Sequence, residues 1–107
     1  MIEKQILVII KNPGEEPSVE PLFENTPQAF SDAVGGEPEA LSVCTDLKIL
    51  YCRDGEKVGE PFNFTAFGVK FYGPVIAVGT KGNEVVSLKA TNVPLLLREL
   101  QERKNIE

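Results

Sequence analysis

The sequence predicts a single α+β domain over residues 1–107, with a mainly antiparallel sheet of about five or six strands and two helices. Three observations carry this. Residues 4–11, with five apolar residues from Ile6 to Ile10, and the apolar run 75–79 are rich in β-branched side chains without alternation, the pattern of strands covered on both faces. Residues 26–34 and 92–103 place apolar side chains three and four apart, just after helix-start signals. Short runs with strand character lie between turn signals of Gly, Pro, Asn and Asp, which favours hairpins over parallel crossovers. A chain of 107 residues makes one domain and buries roughly 60–70% of its unfolded surface, enough for a true core.

In order along the chain, Ile6 to Ile10 read as a buried strand ended by Lys11-Asn12-Pro13-Gly14. Ser18 to Phe23 fit an edge strand, because Pro21 has no N–H to give to a ladder. Asn25 or Thr26 caps the first helix, Pro27 suits its first turn, and Phe30, Ala33 and Val34 share a face. Gly35-Gly36 stops it. Residues 39–53 form a hairpin around Thr45-Asp46, with Leu41 and Val43 and then Leu47, Ile49 and Tyr51 alternating with polar neighbours. Asp54-Gly55 signals a second hairpin turn. Residues 61–70 fit neither period and are expected to be irregular, with one helical turn over the core. The buried strand at 75–79 turns at Lys81-Gly82-Asn83 and returns through Val85, Val86 and Leu88. In the last helix Thr91 or Asn92 caps, and Val93, Leu96, Leu97 and Leu100 form the buried stripe. Arg98–Glu102 and Glu99–Arg103 are its ion pairs on the wet side, and the final residues should fray.

Composition excludes much chemistry. The chain has no His, which removes Ser–His and Cys–His nucleophile pairs, imidazole-ligated zinc and a neutral-pH imidazole switch. The 2 Cys, Cys44 and Cys52, make no structural zinc site by themselves and are expected to be reduced thiols in the cytoplasm. The run from Ile6 to Ile10 is too short for a signal peptide or a membrane span. No glycine-rich phosphate loop or calcium loop occurs, and no metal or other cofactor is called for. A net charge of −5 argues against nucleic acid as a partner.

That charge is unevenly spread. It is +1 over residues 1–11, −8 over 12–60, +3 over 61–98 and −1 over 99–107. Glu15, Glu16, Glu20, Glu24, Glu37 and Glu39 fall in a stretch from Asn12 to Leu47 that holds no Lys or Arg, and are the candidate docking residues for a protein partner. The second candidate site is aromatic. Phe62, Asn63, Phe64, Phe67 and Tyr72 could line a pocket for a nucleotide-like ligand, with a ring to stack on and an amide to read an edge. The same residues could instead be core, with Asn63 pinning the backbone, and pinning is favoured because a buried amide must be bonded.

Several short motifs resemble a family of phage and mobile-element domains of unknown function from Firmicutes and their relatives. They are Gln28-Ala29-Phe30 running into Val34-Gly35-Gly36-Glu37, then Pro61-Phe62-Asn63, Tyr72-Gly73-Pro74-Val75-Ile76-Ala77-Val78-Gly79 and Ser87-Leu88. Family members often carry a basic residue after the Asn; Phe64 stands there in this chain. The resemblance implies a phage or mobile-element accessory protein and supplies no catalytic residue. The expected function is a non-enzymatic interaction module, with a small-ligand-binding module as the alternative. The edge strand at 18–23 and Leu95, set off the helix stripe, also leave a homodimer open.

Overall fold

The computed structural model describes residues 4–100. A six-stranded sheet is built from β1 (Gln5–Lys11), β2 (Ser18–Glu24), β3 (Pro38–Cys44), β4 (Leu47–Cys52), β7 (Val75–Lys81) and β8 (Glu84–Val86). A separate two-stranded hairpin is formed by β5 (Phe62–Ala66) and β6 (Val69–Tyr72). The sheet order is β2-β1-β7-β4-β3, with β8 pairing the far half of β7, and every pairing is antiparallel. Helix α1 (Pro27–Val34) covers one face; α2 (Val93–Leu100), entered through a 3₁₀ turn at Ala90–Asn92, covers the other beside the hairpin. No helix among the described residues is long and apolar enough to cross a membrane.

The two covered faces explain the apolar runs. On β7, Ile76 and Val78 face α1 with Ile6, Val8, Phe30, Val34 and Leu50. Val75 and Ala77 face α2 with Ile9, Ile49, Leu96 and Leu100. Alternate residues therefore point to different layers, yet all are buried, so the alternation vanishes from the sequence. Burying each such side chain stabilises the fold by roughly 1.5–3 kcal/mol before the entropy of ordering is set against it.

α1 forms where the local signals place it. The Thr26 hydroxyl accepts the Ala29 N–H at 3.1 Å, Pro27 begins the helix, and Gly35 closes it at φ 83 by donating its N–H to Ser31. Phe30 packs on Phe23 with ring centroids 5.2 Å apart, which ties α1 to β2. β2 is an edge strand, as Pro21 suggests, and it carries a bulge opposite Ile6–Val8. α2 buries Leu96 and Leu100 and leaves Leu95 half exposed. The expected pairs Arg98–Glu102 and Glu99–Arg103, the helix end at 103 and the fraying tail lie outside the described residues.

Two expectations need correction. Residues 61–70 are not irregular or helical; they lie in the β5–β6 hairpin. Their period is hidden because a bulge at Asn63 makes Asn63 and Phe64, neighbours in sequence, both buried. Asp54-Gly55 is likewise not a hairpin turn. It lies in the connection from β4 to β5, which belong to different sheets.

Candidate functional site

The aromatic candidates divide between two environments. Asn63 and Phe64 point inward, while Phe62 and Phe67 are exposed and Tyr72 is half-buried. Phe62 and Tyr72 meet edge to face on the outer side at 5.5 Å, whereas Phe64 packs on buried Phe71 at 5.0 Å. The hairpin thus separates the five residues instead of gathering them around one opening. The amide of Asn63 is committed inside the protein. Its Nδ2 donates to the carbonyls of Lys11 at 2.9 Å and Gly73 at 2.8 Å. Its Oδ1 accepts from Lys11 Nζ at 2.9 Å. Both N–H donors are used, which leaves no amide donor for a ligand edge.

Lys11 is the residue that sequence reading missed. It ends an apolar run and looks like the polar stop of a strand, yet it is fully buried. Its Nζ also donates to the Asn12 carbonyl at 2.9 Å and lies 5.9 Å from the Phe64 ring centroid. A buried ammonium is tolerated only when bonded, and the bulge that turns Asn63 inward supplies an acceptor for it. No buried side-chain nitrogen or oxygen among the described residues lacks a partner.

At the hairpin tip, Phe67 and Gly68 connect Ala66 to Val69 with φ of 53° and 75°. A turn with both φ positive suits Asn-Gly; a phenylalanine there is strained and, in this protein, also exposed. Phe67→Asn is therefore expected to stabilise the protein by about 0.5–1 kcal/mol in urea denaturation. A loss of stability would mean instead that packing of the ring holds the turn.

The six acidic candidates do not share one surface. Glu15 and Glu16 lie in the loop after β1, and Glu20 and Glu24 on β2, all exposed. Glu37 lies just before β3 and Glu39 within it, at the opposite edge, roughly 19 Å away at four strand spacings. There Arg53 approaches both, its Nη1 at 3.2 Å from Glu37 and its Nε at 3.8 Å from Glu39. The half-buried Tyr51, also beside Glu39, has its phenol pushed above its ordinary range, first by burial and then by that charge. Among the described residues the four carboxylates at the β2 edge have no Lys or Arg partner; Glu15 accepts from Asn12, and Glu24 from Thr26.

A third cluster lies at the turn between β3 and β4. Asp46 accepts from Lys89 Nζ at 2.7 Å and from the exposed Cys44 thiol at 3.2 Å. The Lys89 and Cys44 hydrogen bonds hold the Asp46 carboxyl below its usual range, and Asp46 in turn raises Lys89. A lowered carboxyl pKa stabilises the fold above the unfolded pKa and is lost as pH falls through the folded one. A raised lysine pKa contributes below the unfolded value and is lost as pH rises through the folded one. Asp46→Asn is thus expected to lower stability slightly near neutrality and to converge on wild type as pH falls from about 4 through the lowered folded value, as thermal melts across pH would read. A difference persisting at low pH would assign the effect to packing rather than charge.

Both thiols are free; Cys44 is exposed and Cys52 buried at opposite ends of the β3–β4 hairpin. No group of three or more Cys, Asp or Glu among the described residues comes together to hold a metal. No protein-family model, no curated protein and no solved structure matches the chain.

Proposed function

We propose that the protein is a non-enzymatic interaction module, a small accessory domain of the phage or mobile-element type that its motifs resemble, working in the cytoplasm. It docks a partner protein through the edge made by the loop after β1 and by β2. The observation that supports this reading is the group of four exposed carboxylates, Glu15, Glu16, Glu20 and Glu24, without a basic partner among the described residues and beside an open strand. Exposed charges of one sign steer and orient a partner of the other sign while adding little to the stability of the domain itself. Glu37 and Glu39 are assigned a smaller part, because Arg53 already sits over them. The lack of His, and a buried amide bonded within the fold, fit binding better than catalysis.

The test is cross-linking in host lysate with the wild type and two charge-reversed forms. One form carries Lys at 15, 16, 20 and 24; the other carries Lys at 37 and 39. Partners captured by the wild type are expected to disappear with the fourfold form and to persist with the far-edge form. An unchanged partner set for the fourfold form would remove the acidic edge from the account.

A further inference from the structure

We propose that the β2 edge takes an extended, lysine- or arginine-bearing segment of the partner as an added strand, a proposal that rests on the interaction reading above. The backbone pattern is the starting point. Leu7 spends its N–H and C=O on the far side of β1, donating to Ser87 Oγ at 3.0 Å and accepting from Leu88 at 2.9 Å. Antiparallel pairing alternates, so Ile6, Val8 and Ile10 turn their backbone groups to β2. Their partners Phe23, Glu20 and Ser18 turn theirs back, and Val19 between the last two presents N–H and C=O to solvent. The Val19 side chain lies on the α2 face opposite Ile9 and is 42% exposed. Glu20 lies on the α1 face opposite Val8.

Open edges are kept from indiscriminate pairing by charge, proline and bulges, and β2 carries all three in Glu20 and Glu24, Pro21 and the bulge. These devices select rather than seal. A second copy of β2 would bring glutamates against glutamates, because residues 12–47 hold no Lys or Arg to relieve them. A basic strand converts the same charges into attraction. A cation on its α1 side meets Glu20, an apolar residue on the other side meets Val19, and its backbone bonds the outward groups of Val19. The β3 edge lacks this preference, since Arg53 occupies its carboxylates.

The probe is a peptide of about ten residues in which lysine and valine alternate, titrated into isotope-labelled protein at low salt. Saturable amide shifts confined to β2 and slowed exchange of the Val19 N–H are expected, with a control peptide of glutamate and valine inert. Val19→Pro removes the outward donor while sparing the bonds from Ser18 and Glu20 to β1, and should weaken binding about tenfold. Glu20→Lys with Glu24→Lys should weaken it at least as much and reduce its salt dependence. No saturable binding below about 1 mM overturns the proposal. So does unchanged Val19 exchange in the wild-type complex, a measurement that needs no variant. Wild-type dimers that Val19→Pro dissolves would give the edge to a second copy and also overturn it. If the peptide fails while lysate partners still vanish with the fourfold reversal, strand addition falls and the interaction reading stands.

Discussion

Asn63→Ala is expected to destabilise the protein by about 3–5 kcal/mol in urea denaturation, one of the largest effects of any single substitution in it. The amide joins three pieces of chain that are distant in sequence: the end of β1, the bulge of β5 and the turn before β7. Truncation leaves the Lys11 and Gly73 carbonyls without the donors they have at 2.9 and 2.8 Å. It also takes from the buried Lys11 ammonium an acceptor at 2.9 Å, although the bond to Asn12 remains. Each hydrogen bond lost costs roughly 0.5–1.5 kcal/mol, one to a charged group about 1.5–3 kcal/mol, and a buried polar group left unsatisfied about 1–3 kcal/mol. Asn63→Asp separates the contributions. A carboxylate still accepts from Lys11 but cannot donate to two carbonyls, and it sets negative charge beside them. The Asp variant should therefore remain at least about 2 kcal/mol below wild type. Recovery to wild-type stability would show that the lysine contact alone matters.

Gly79→Ala should cost at least about 3 kcal/mol, for a different reason. Gly79 lies in β7 between Leu47 of β4 and Val86 of β8. A Cβ there would collide with the Ser87 carbonyl oxygen and stand 2.9 Å from its carbonyl carbon. The obstacle is backbone, held in place by the hydrogen bonds that Ser87 and Leu88 make with Leu7. Making room means pulling that crossing segment off β1, which also disturbs the approach to α2. Thermal melting reads the loss, and amide exchange at Leu88 should accelerate with it. A loss below about 1 kcal/mol would mean that the segment shifts freely.

The elements whose signals are local were legible. Thr26, Pro27 and Gly35 bound α1 because caps act within one turn of chain. Pro21 marked β2 as an edge because a missing N–H is a property of one residue. The β5–β6 hairpin was not legible. One bulge at Asn63 breaks its alternation, and Phe67 occupies a turn position whose usual sequence is Asn-Gly. The candidate sites were legible as residue types but not as places. Charge along the chain located the acids, yet the topology put Glu20 and Glu37 on opposite edges. Asn63 stood out as an amide between two phenylalanines, while its partner Lys11 lies 52 residues away.

Local pattern and composition were enough for the α+β class, the two doubly covered strands, the caps of α1, the lack of imidazole chemistry and the uneven charge. Which strands became neighbours was settled only in three dimensions. β7 joins the β1–β2 and β3–β4 hairpins, Lys11 enters the core and Arg53 falls on Glu37 and Glu39. The difference is one of range. Caps, turns and period are set by interactions a few residues apart, whereas strand order and charge pairing are settled only when distant segments compete to bury their apolar faces.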